Sequence, residues 1–194
     1  MHTGRKNNRV WYLRLLVSSL IFVIVQLWTS TLYSKVYLNK EDALKLAFPG
    51  LQNVERKTLF LEEADVKEIE ALSKVRLDSK IFTYYVGIGK EGVLGYAYLG
   101  SHIVRTKPAV YMVVVTPEAR LQRVEILAFY EPEEYLPNKR WFNQFQGKVL
   151  NEGLWPKREI SAVSGATLSV NGITSEVRKV LSIFHLKVIK EGVM

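Results

Sequence analysis

The sequence predicts an α+β fold, a curved antiparallel sheet covered by helices and preceded by one N-terminal transmembrane helix. Three observations predict it: an apolar run behind a basic N-terminus, two helically spaced segments before residue 80, and a succession of strand-like segments between turns from residue 81 onward.

The basic N-terminus carries Arg5, Lys6, Arg9 and Arg14 with no acidic residue among the first fourteen. Behind it, residues 15–25 are strongly apolar, and the run continues less purely to Leu32. As a helix, residues 11–32 would span about 33 Å, which matches a hydrocarbon core of about 30 Å. Trp11 and Tyr12 at one end and Trp28 and Tyr33 at the other suit the two membrane interfaces, and Arg14 can snorkel outward. No Ala-x-Ala type cleavage site follows, so a retained anchor is expected over a cleaved signal. The excess of Lys and Arg on the N-terminal flank then sets a single-pass topology. Residues 1–10 form a cytoplasmic tail and 11–33 the anchor in the inner membrane, with the following domain on the extracytoplasmic, periplasmic side.

Residues 34–80 read as a helical lead-in. Asn39 caps a short helix with Glu41 and Asp42 in its first turn, and Pro49-Gly50 stops it. Between residues 62 and 75, Val66, Ile69 and Leu72 fall at helical spacing among Asp65, Glu68 and Glu70. The main domain is placed at 81–190. Residues 81–88 and 93–104 form a hairpin around a turn at 89–92. Residues 109–116 are nearly all apolar, which predicts a strand covered on both faces. A turn at 117–120 leads to a strand at 124–130, and a helix is expected at 138–145. No repeat or long linker offers a start for a second globular domain.

Composition excludes several chemistries. The chain of 194 residues has no cysteine, which removes c-type haem attachment, iron–sulfur ligation, disulfides and thiol redox chemistry. Electrons, if they pass through this protein, need an organic carrier. The formal net charge is +8, but four of those charges sit in the N-terminal tail and anchor, so the domain is only mildly basic and nucleic-acid binding is a poor reading. His2, His102 and His185 are not spaced as a ligand pair, and no Gly-x-Ser-x-Gly element accompanies any serine, so no catalytic or metal-ligating residue is assigned.

The most informative segment is the Ser-Gly-Ala-Thr run at 164–167, delivered into the start of a helix that continues through Val177, Val180 and Leu181. The first turn of a helix has unpartnered N–H groups and the positive end of the macrodipole, so an anion there is stabilised. Gly165 permits close approach, Ala166 adds no bulk, and Ser164 and Thr167 bring hydroxyls. A plainer reading stands beside this one: Gly165 makes a turn, and Thr167 or Ser169 caps the helix.

The run resembles the flavinylation motif of the FMN-binding domain family, found in flavoprotein subunits of sodium-translocating NADH:quinone reductase and Rnf-type complexes and in nitrous-oxide-reduction regulators. The resemblance extends over roughly residues 84–181, through the order of Gly-Tyr-containing strand, apolar strand, strand, acidic loop, helix and motif. It implies FMN esterified through its phosphate to Thr167 by a dedicated flavin transferase, with Ser164, Gly165, Ala166 and Leu168 around the attachment point. It also brings the acidic loop after the last strand toward the flavin, which makes Glu131 and Tyr135 cofactor neighbours. One position departs from the family pattern: Ser161 stands where an Asp is usual.

The acidic loop has another reading, since Glu131, Glu133 and Glu134 are hard oxygen ligands for a cation. A solvated loop ahead of a helix is the expected one. Trp141, Phe142, Phe145 and Trp155 suit either a core or a flavin shield, and core is the expected reading. Lys139, Arg140, Lys157 and Arg158 are cations available to a reduced flavin.

The leading expectation is thus a membrane-anchored electron carrier with FMN on Thr167, working with redox partner proteins or as a subunit of a membrane complex, rather than an enzyme with its own substrate. Two alternatives remain: a degenerate member with a structural or assembly role, and a small reductase holding FMN non-covalently.

Overall fold

The computed structural model describes residues 12, 14, 15, 17–19 and 35–189. His2, the tail and most of the expected anchor at 11–33 lie outside the described residues. Those described within the anchor are helical, and the Ser18 hydroxyl donates to the Leu15 carbonyl at 2.9 Å. Among the described residues no helix is long and apolar enough to cross a membrane.

From residue 35 onward the protein is α+β, built on one open six-stranded antiparallel sheet. Its strands are β1 (Lys35–Val36), β2 (Asn53–Phe60), β3 (Ile81–Gly89), β4 (Gly92–Ile103), β5 (Pro108–Val115) and β6 (Leu121–Phe129), in the spatial order β1-β6-β5-β4-β3-β2. The helices are α1 (Lys40–Ala47), α2 (Glu63–Ser73), the single turn α3 (Lys139–Phe142) and α4 (Thr167–Ile183).

The local signals for α1 act as expected: the Asn39 side chain accepts from the Asp42 N–H at 2.9 Å. In α2, Asp65 accepts from the Glu62 N–H at 2.9 Å, and Lys74 ends the helix in the left-handed conformation. The expected helical lead-in contains strands as well, β1 and a longer one: residues 53–60 form β2, paired along their whole length with β3. This strand has an edge position and is mostly exposed, so it lacks the alternation of apolar and polar residues that marks a half-buried strand. The last strand begins at Leu121 rather than 124, because a register shift opposite Val114 and Val115 lets polar Gln122 and Arg123 enter the sheet.

Both faces of the sheet are used, which explains the unbroken apolar run of β5. Tyr111, Val113 and Val115 face a large core with Tyr84, Val124 and Val177, whereas Met112 and Val114 face a smaller one with Leu44, Phe48 and Leu127. The first core is covered by α4, which is buried on nearly every side. Its polar residues are accordingly partnered: Thr174 Oγ1 donates to the Val170 carbonyl at 2.8 Å, and Glu176 accepts from the Tyr111 hydroxyl and from Lys179 Nζ, the latter at 2.8 Å. Past α4 the chain continues as a π-helical segment, Phe184–Ile189, whose first ring packs edge-on against Phe82 and Tyr84 at 5.6 and 5.4 Å. Helix α4 is thereby fixed along its length, and its N-terminus is held at one place on the surface.

Candidate functional site

The site is built by the turn that enters α4. Gly165 has φ +82°, a left-handed conformation that glycine adopts without penalty. It carries the chain into Ala166, the buried N-cap, whose N–H donates to the Val163 carbonyl at 3.2 Å. No side chain caps this helix and its first turn holds no acid. Thr167 is exposed, and the Ser169 hydroxyl turns inward to donate to the Tyr135 carbonyl. The capping role weighed for Thr167 or Ser169 is therefore not filled. The helix start leaves first-turn N–H groups and the positive dipole end beside a free-standing threonine hydroxyl, which is the arrangement an anionic group requires.

Two hollows meet at Thr167. One, of about 520 Å³, is lined by Trp155, Lys157, Arg158, Val163, Thr167 and Asn171 among others. The second, of about 150 Å³, has Arg105, Tyr135, Gly165, Thr167 and Leu168 in its wall, with the Arg105 guanidinium 4.7 Å from the Tyr135 ring centroid. A larger hollow, of about 900 Å³, lies elsewhere, along the part of the β6 edge that β1 leaves uncovered, and does not include Thr167. Volume favours that groove, but the hydroxyl and the uncapped helix favour the other two, and reactivity decides.

The structure gathers Gly165, Ala166, Thr167, Leu168 and Tyr135 around one hollow, and Ser164 lies exposed in the entering turn. Glu131 lines neither hollow at Thr167. It is buried, and its Oε1 accepts from the Thr106 N–H at 2.7 Å, the Lys107 N–H at 2.8 Å and the Thr106 hydroxyl at 3.1 Å. The Thr106 N–H bond foremost, with Lys107 adding to it, holds the Glu131 carboxyl below the usual carboxylate range. Glu131 thus clasps the turn that carries Arg105. Glu133 is committed to Lys35 Nζ at 2.8 Å and the Tyr37 hydroxyl at 3.1 Å.

Among the aromatic residues, Trp141 and Phe145 are core, and the Trp141 Nε1 donates to the Ser161 carbonyl at 2.7 Å. Lys139 and Phe142 line the distant groove, whereas Lys157 and Arg158 stand beside Thr167. Sequence reasoning missed Arg105 and Asn171, which carry no local motif. It left Trp155 among core residues, although Trp155 borders the larger Thr167 hollow. Lys157 holds a left-handed φ of +64°, a conformation that costs a non-glycine residue about 1–2 kcal/mol.

A hydroxyl at an uncapped helix start, beside a hollow with an indole and two cations, suits a phosphate-bearing aromatic cofactor. Residues 106–182 match the family model of the FMN-binding domain, and the cofactor of this domain is FMN. The match covers β5, β6, the acidic loop, the Trp155 loop and nearly all of α4. No curated protein matches the chain in sequence. The residues around Thr167 suit FMN chemically: the helix start and Thr167 would hold the phosphate, and the hollow would receive the ring. The isoalloxazine supplies the redox chemistry, so a flavin-binding, electron-transferring role follows in general terms.

Proposed function

We propose that this protein is a membrane-anchored, extracytoplasmic flavoprotein that passes electrons through FMN joined to Thr167 by a phosphoester bond. The observation that supports the tether is the exposed Thr167 hydroxyl at an uncapped helix start, opening onto both hollows. Attachment transfers the FMN group from an activated flavin dinucleotide. The bond from Thr167 Oγ to the flavin phosphate forms, the donor's pyrophosphate bond breaks, and a nucleoside monophosphate leaves with the hydroxyl proton, so that the protein gains the mass of FMN less one water. A flavin transferase is the maturation partner. A tether keeps the cofactor on a protein that faces a compartment without a flavin pool. The electron donor and acceptor are redox partner proteins or subunits of a membrane complex that shares the bilayer.

Ser161 in place of the usual acid is compatible with this reading. Its N–H donates to Gln144 Oε1 at 2.9 Å and its carbonyl accepts from Trp141, so backbone bonds fix the loop before the motif whatever side chain stands there. The test is a pair of substitutions in chain produced together with the transferase. Thr167→Ala should lose all flavin that survives denaturation, and Thr167→Ser should keep it, because the ester needs only a hydroxyl. Flavin persisting on Thr167→Ala would place the linkage elsewhere.

A further inference from the structure

Thr167 opens onto two hollows, and a tethered ring can occupy only one. The difference in volume is large: about 520 Å³ on the Trp155 side and about 150 Å³ on the Tyr135 side. Small-molecule sites run from roughly 300 to 1,000 Å³, so only the first can take a three-ring system.

The two aromatic side chains also differ in what covers them. Arg105, which is exposed, lies over the Tyr135 ring and occupies the outer face of the smaller hollow. Arg178 stands 4.4 Å from the Trp155 centroid but is 2 % exposed, so it lies beneath the indole. It is locked there, with Nε donating to the Ser73 carbonyl at 2.7 Å and Nη1 to the Asn151 and Leu154 carbonyls at 2.6 and 3.3 Å. The indole therefore has a rigid backing, and Trp155 lines the larger hollow. The loop that follows is equally fixed. The Lys157 N–H donates to the Ile160 carbonyl at 2.9 Å, the Arg158 N–H to the Trp155 carbonyl at 3.1 Å, and Arg158 Nη1 to the Glu152 carbonyl at 2.8 Å. A non-glycine residue kept at positive φ next to a ligand hollow is the kind of strain that a binding loop retains.

We propose that Trp155, Lys157 and Arg158 form the seat of the isoalloxazine ring, with the indole as stacking platform and the two cations beside the part of the ring that gains negative charge on reduction. This rests on Thr167 being the tether. Trp155 supplies a flat apolar face, and the cations favour the reduced over the oxidised cofactor by Coulomb attraction. The role of this loop is to set the potential and shield the ring, while the helix start holds the phosphate.

The test uses the full chain produced with the flavin transferase, with intact mass confirming FMN on each protein before any optical measurement. Trp155→Ala should keep the FMN mass and show a several-fold rise in flavin emission, since a stacked indole quenches flavin, and Trp155→Phe should fall between. Lys157→Gly relaxes the backbone and removes one charge, so it folds readily and should shift the reduction potential to a more negative value than Arg105→Gln does. Emission unchanged in Trp155→Ala, or a larger shift in Arg105→Gln than in Lys157→Gly, would overturn the seat while leaving the tether intact. A wild-type chain without added FMN mass would overturn the tether and the seat together.

Discussion

Glu131 shows how a residue that looks like a ligand serves the fold. Its carboxylate accepts two backbone N–H bonds and one hydroxyl from the turn after β4, and those bonds lower its pKa. A carboxyl with a depressed folded pKa contributes its full stability above the ordinary carboxylate pKa of about 4, and that contribution is lost as pH falls through the folded value. The melting temperature should therefore decline on acidification below about pH 4, and Glu131→Gln should be less stable at pH 7 by about 1–2 kcal/mol with a shallower acid decline. Thermal melts across pH 3–7 measure both. Part of the decline will persist, because hydrogen bonds also lower the pKa of Asp65, Glu133 and Glu159. An equal acid slope in wild type and Glu131→Gln would remove Glu131 from the turn's stability.

At the scale of elements, α4 is the part on which the site depends, and its seating can be tested away from Thr167. A Cβ built on Gly172 would come within 2.5 Å of His102 Nε2 on β4. Both ring nitrogens of His102 lack a partner among the described residues, and burial lowers the pKa of this histidine, so the ring is held by packing alone. Gly172→Ala should destabilise by about 1–3 kcal/mol through overpacking. In a His102→Ala background the clash is gone and the better helix propensity of alanine, worth about 1 kcal/mol, should make the same change neutral or stabilising. Denaturant titrations of the four proteins give the coupling, and an identical cost in both backgrounds would show that His102 is not the contact.

The elements whose signals act locally are readable in the sequence. Asn39, Pro49 and Gly50 bound α1 through capping and breaking chemistry, and Gly165 marks the entry to α4, because these signals act within a few residues. Strand β2 was not legible, because an edge strand with both faces largely wet carries no apolar alternation. The pairing of Arg105 with Tyr135 and of Arg178 with Trp155 joins residues distant in sequence, and only the folded sheet and helix bring them together.

The whole molecule combines an N-terminal sequence suited to a bilayer, a domain without cysteine, and a helix start that presents a hydroxyl to a flavin-sized hollow. The fold supplies position, and the cofactor supplies the electrons' path. The tether is the claim on which the rest depends, and intact-mass analysis of the denatured full chain, produced with a flavin transferase and followed by peptide mapping, tests it most directly. The account predicts a mass increase of one FMN less one water, carried by the peptide that contains Thr167. An unmodified mass, or FMN on a different peptide, would contradict it.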